Sequence, residues 1–103
     1  MSTPGNASLA RSVEEMAYLA RSTHRVGVLT ALSEKPSDRA ELCEATEASP
    51  ATMSRVIGDF EERGWIVRDG RTYELTQLGA FVTEELVGFC ESLATERKLR
   101  DVW

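Results

Sequence analysis

"SPATMSRVIGDFEERGW", Ser49 to Trp65, decides how the rest of the chain is read. A serine followed by proline is a helix cap followed by a residue whose φ is already set for the first helical position. Gly64 closes the stretch where a left-handed residue costs least. On a helical wheel Met53, Ile57, Phe60 and Gly64 form one narrow wedge, with Val56 at its edge, and this side is expected to pack on a core. The far side is Ala51, Arg55, Gly58 and Glu62, flanked by Thr52, Ser54 and Asp59. Its leading half is nearly flat and carries one arginine.

Upstream, "EAS", Glu47 to Ser49, leaves only a tight connection to a short preceding helix. For that helix Ser37 is the expected cap, Asp38 sits in the first turn with Glu41 at capping-box distance, and Ala40, Leu42, Cys43 and Ala45 face inward. Before it, "SEKPS", Ser33 to Ser37, ends a helix that starts after Ser22 or Thr23 and carries Val26, Val28, Leu29 and Leu32. A first helix is expected from Ser12, which has capping-box spacing to Glu15, with Val13, Met16, Ala17, Leu19 and Ala20 as its apolar stripe. Residues 1–11 open with a polar, turn-rich run and are expected to be a disordered arm.

Downstream, "WIVRDGRTYEL", Trp65 to Leu75, is two short β-rich runs around Asp69-Gly70, a hairpin signal. Thr76 can cap a final helix. From Gln77 to Trp103 no proline intervenes, and Leu78, Phe81, Val82, Leu86, Phe89, Leu93 and Leu99 recur at helical spacing. The expected division is therefore an arm (1–11), a mixed helix-and-hairpin domain (12–76) and a long C-terminal helix (77–103).

Composition limits what this arrangement can do. The 103 residues suit one domain that wants a partner to finish its core. Seventeen acidic against twelve basic residues give a net charge of -5, which argues against general affinity for polyanions. Only Lys35 and Lys98 are lysine, and an acidic, lysine-poor balance fits adaptation to high salt. Cys43 and Cys90 are too few and too far apart for a disulfide framework or a metal cluster. Both fall among apolar residues and read as small core fillers in a reducing cytosol. No apolar run is long enough to span a bilayer, so no membrane partner is expected.

Against that charge, the leading half of the Ser49–Trp65 helix has what a major groove demands. Small residues permit close approach, hydroxyls reach phosphates or base edges, and one arginine can pair bidentately with guanine. Thr52, Ser54 and Arg55, with Ser49 and Ala51, are the candidate DNA contacts, while Asp59, Glu61 and Glu62 fall in the half that leaves the duplex. Arg68 and Arg71 flank the hairpin turn, and Arg39 and Arg25 lie near helix starts that can meet phosphates. The plainer readings are a solvated helix face used for protein contacts, and hairpin arginines kept for solubility. His24 has no serine, cysteine or carboxylate at catalytic spacing, and Glu61-Glu62 and Glu84-Glu85 diverge as helical neighbours do, so no enzyme and no cofactor are expected.

From Ser12 to Trp103 the chain resembles winged helix-turn-helix transcriptional regulators of the ArsR and MarR type, an α+β fold. The resemblance rests on the helix order, "T-x-S-R" at Thr52, Ser54 and Arg55, "F-E-E-R-G-W-I" from Phe60, and "L-T-x-L-G" from Leu75 to Gly79. It is most similar in look to haloarchaeal regulators in which such a module precedes a ligand-sensing domain. The resemblance implies a positioning helix at 38–46, a recognition helix at 50–63 and a wing tip at 68–71. It also implies a regulator that binds double-stranded DNA, with any small-molecule effector acting through a domain absent from this chain. Metal-sensing ArsR-type members carry "E-L-C-x-C"; here Glu41, Leu42 and Cys43 match but Ala45 replaces the second cysteine, so no metal response is expected. The apolar stripe of the last helix outruns what the domain can cover, and Leu86, Phe89 and Leu93 are expected to pair two copies. The absence of a helix stop at "RKLRDVW" suggests a chain cut before a further domain. The alternative from another class is a winged-helix protein-protein interaction module, which the net charge favours.

Overall fold

Side-chain caps set the helix boundaries in the computed structural model, which describes residues 6–102. Five helices and one hairpin run in the order α1 (Asn6–Ala20), α2 (Thr23–Glu34), α3 (Arg39–Thr46), α4 (Pro50–Glu62), β1 (Ile66–Asp69), β2 (Thr72–Leu75) and α5 (Gln77–Val102). This is a mostly helical winged-helix fold. Ser22 caps α2 by accepting from the Arg25 amide, and Ser49 caps α4 by accepting from the Thr52 amide, with Pro50 in the first turn.

Two boundaries differ from the sequence expectation. The first helix starts at Asn6, so Ser12 lies inside it and Asn6 to Arg11 are helical rather than a disordered arm; the expectation for residues 1–5 lies outside the described residues. A helix extended by nearly two turns carries Leu9 and Val13 one turn apart on one face. At α3, Asp38 is the cap, its side chain accepting from the Glu41 amide at 2.8 Å while Glu41 accepts from the Asp38 amide at 3.0 Å. Ser37 is used differently: its backbone exchanges hydrogen bonds with Tyr73 at 3.1 and 2.8 Å, adding a stub of third strand to the hairpin. Within α3 Leu42 is buried and Cys43 half-buried, whereas Ala40 and Ala45 are exposed, because the helix packs through the side that carries Leu42, Cys43 and Thr46.

The connection from α3 to α4 is short because Glu47 takes φ +59, a left-handed turn, and drops Ala48 into the core. Helix α4 ends in a Schellman closure: Trp65 donates to the Phe60 carbonyl at 2.9 Å and Gly64 to Glu61 at 3.0 Å, with Gly64 at φ +76. The strands pair antiparallel from Ile66 opposite Leu75 to Asp69 opposite Thr72. The turn is therefore Gly70-Arg71, one residue later than the sequence suggested, with Gly70 at φ +63. Leu19, Val28, Leu29, Leu42, Met53, Ile57, Phe60, Trp65, Ile66 and Tyr73 form one core beneath α4 and the hairpin.

The "L-T-x-L-G" segment joins the hairpin to α5. Thr76 donates to the carbonyls of Gly64 (2.6 Å) and Trp65 (3.2 Å), and its hydroxyl accepts from the Gly79 amide at 3.0 Å. Gly79 packs so closely that a Cβ there would lie 1.9 Å from the Trp65 carbonyl oxygen. Helix α5 then runs 26 residues, about 39 Å.

Candidate nucleic-acid interface

The wedge of α4 sinks as its periodicity demands. Met53 and Phe60 are fully buried, Ile57 and Val56 nearly so. Gly64 lies past the end of the helix and is exposed. The opposite edge is open: Ala51, Ser54, Arg55 and Gly58 are exposed, Thr52 and Asp59 half-buried. The carboxylates Glu61 and Glu62 project from the last turn, away from the leading end.

The candidate side chains are not equivalent. Ser49 spends its hydroxyl on the cap and donates to Thr52 Oγ1 at 3.0 Å, so these two hydroxyls are held together at the helix start. Ser54 accepts from Arg39 Nη1 at 2.5 Å, and Arg39 Nη2 donates to the Tyr73 hydroxyl at 3.4 Å. That contact with Tyr73 holds the Arg39 guanidinium charge still more firmly than usual. Arg55 has no hydrogen bond or ion pair among the described residues. In the hairpin, Arg68 folds back to donate to the Gly70 carbonyl at 3.2 Å, its guanidinium 5.7 Å from the Tyr73 ring centre, while Arg71 is exposed in the turn itself.

Arg25 already has partners within the protein. It donates to the Tyr18 carbonyl, and its guanidinium lies 3.8 Å from the Tyr18 ring centre; Arg63 lies at the same distance from that ring. The Tyr18 hydroxyl donates to Asp59 Oδ2 at 3.2 Å, tying α1 to α4. Burial first, then the neighbouring Asp59 carboxylate, raises the Tyr18 pKa. Sequence reasoning passed over this cluster because its members lie up to 45 positions apart and share no local spacing.

Of the residues expected to pair two copies, Leu86 is half-buried against its own core, whereas Phe89 and Leu93 are 50% and 43% exposed. Cys43 packs against the core; Cys90 is exposed, so it is no core filler in the single chain. No helix among the described residues is long and apolar enough to cross a membrane.

Known proteins are similar in the same terms. The profile of the HVO_A0261 N-terminal domain matches residues 13–98. No curated protein matches the sequence. Among solved structures, ligand-free NadR superposes with a TM-score of 0.71 at 17% identity, over 89% of this chain and 74% of its own. The MarR family transcriptional regulator SPO1453 from Silicibacter pomeroyi DSS-3 gives 0.63 at 23%, over 85% and 74%. Lactococcus lactis ZitR, solved in complex with DNA, gives 0.61 at 23%, over 80% of this chain; the chain spans 62% of that ZitR chain's length.

Proposed function

Because the chain belongs to the HVO_A0261 N-terminal domain family and folds as a winged helix, we propose that it is a transcription regulator that binds duplex DNA sequence-specifically as a dimer. One observation carries this reading. The leading edge of α4, with Ala51, Ser54 and Arg55, is open to solvent while the opposite side is sealed into the core. Arg55 reads a base edge, the Thr52 and Ser49 hydroxyls line the helix start, and Arg71 with Arg68 meets the backbone from the wing. That ZitR, of similar fold, was solved in complex with DNA supports DNA as the partner.

The dimer reading is supported by where apolar surface is left. Nine of the ten large apolar side chains exposed among the described residues lie on α1 and α5. Leu78, Phe81, Phe89, Leu93 and Leu99 fall within an arc of about 120° on α5. Leu9, Val13 and Met16 line one face of α1, and Met16, Phe81, Phe89, Val82, Leu19 and Trp65 line the groove between the two helices. Apart from Val87, which lies on the far side of α5, these side chains present apolar surface on the order of 800 Å², about what each partner of a standard interface buries. Paired this way, two copies present half-sites about one turn, roughly 10 bp, apart.

The test is anisotropy titration of the full chain, across salt, on duplexes selected from a random pool. Arg55→Ala is expected to cost about 1–3 kcal/mol on the selected site and little on random duplex. Equal losses on both make Arg55 a phosphate contact only. With no salt-dependent binding at all, the protein-protein interaction module that the charge of -5 favours replaces this reading.

A further inference from the structure

Arg39 was expected at a helix start that can meet phosphate; its fork, exposed to solvent, is turned along the surface toward α4 and β2. It joins three elements: it begins α3, donates at 2.5 Å to Ser54 on α4, and donates at 3.4 Å to the hydroxyl of Tyr73 on β2. Tyr73 is a firm anchor, 3% exposed and held through both backbone hydrogen bonds to Ser37. Ser54 itself is exposed, about one turn from Ala51 and next to Arg55 on the open edge.

The chemistry at Ser54 is set by what Arg39 gives it. A serine hydroxyl has one hydrogen to donate and two lone pairs to accept with, which is why serine alone discriminates poorly between base edges. A cationic donor on that oxygen occupies one lone pair and draws electron density from the rest, so the O–H becomes a better donor and a poorer acceptor. Resting on the DNA reading above, we infer that Arg39 is a specificity-determining positioning residue. It acts through Ser54, setting that hydroxyl to donate to an acceptor edge, guanine O6 or N7 or thymine O4, and to reject the amino donor of cytosine.

The experiment uses the selected duplex with each base pair reversed in turn, at several salt concentrations. Ser54→Ala identifies the position that Ser54 reads. There the wild-type chain is expected to prefer G·C over C·G by about fivefold or more. Arg39→Met, an exposed change checked for retained helicity, is expected to bring the preference near one at that same position, and the double variant to do no more than either alone. Its salt slope on random duplex is expected to equal that of the wild type. A slope smaller by about one, with the base preference intact, would overturn the assignment by making Arg39 a phosphate ligand. Failure of the wild-type chain to bind any duplex sinks the DNA reading itself and this assignment with it; normal wild-type binding with an unchanged preference in Arg39→Met sinks only the assignment.

Discussion

Helices α4 and α5 are both amphipathic, yet they end in opposite circumstances. In α4 the apolar stripe of Met53, Val56, Ile57 and Phe60 is buried to 5% exposure or less, and the polar edge faces solvent. In α5 Gly79, Val82, Thr83 and Leu86 near the start lean on the domain, and Phe81, Phe89, Leu93 and Leu99 stay 43–60% exposed. Periodicity therefore reveals that a helix has an apolar side. What covers that side depends on which other elements reach it, and beyond about Leu86 no element among the described residues seals the apolar side of α5.

The sharpest way to break the contrast is to truncate each stripe. Phe60→Ala leaves a cavity between α4 and Trp65, whose ring lies 5.3 Å from that of Phe60, and is expected to cost about 3–5 kcal/mol in urea unfolding. A cost below about 1 kcal/mol would mean α4 is not anchored as described. Phe89→Asp is expected to leave helix content unchanged while weakening self-association at least about 30-fold in sedimentation. Unchanged association would show that α5 is not the pairing surface, and loss of helix content would show that the single chain depends on Phe89.

Gly79→Ala tests the one place where α5 is held as tightly as α4. The added methyl meets the Trp65 carbonyl, and the strain is expected to cost about 1–3 kcal/mol in the same unfolding measurement. The smallest effect concerns the tie between α1 and α4. Because the Tyr18 pKa is raised by burial and by Asp59, its protonated form contributes stability that is complete below the ordinary tyrosine range and is lost as pH rises through the raised value. Tyr18→Phe should therefore lose less stability than the wild type as pH rises above about 10. Parallel curves would show that burial and Asp59 together do not favour the protonated hydroxyl in the folded chain.

Much of the fold was legible because its signals are local. Ser49-Pro50, Gly64 and Thr76 each act within a turn of their own position, and each serves as spacing predicts. The errors arose where a local signal was outbid by something distant. Ser37 has the chemistry of a cap but gives its backbone to Tyr73, 36 residues on, leaving Asp38 to cap. The composition of the first residues reads as an arm, yet Asn6 to Arg11 continue α1 and set Leu9 on the face of Val13 and Met16. Among the candidate contacts, Arg55 and Ala51 emerge as open as their wheel positions require. Arg25 and Arg39 carry partners that no spacing rule shows, the ring of Tyr18 and the hydroxyl of Tyr73.

The near-collision of Gly79 with the Trp65 carbonyl has a mechanical meaning. With Thr76 bridging Gly64, Trp65 and Gly79, the root of the wing and the start of the long helix are welded into one joint with no room to swivel. Two chains coupled through their long helices would thus act as calipers of set opening, tolerant of any sequence between two half-sites but not of one base pair more or less.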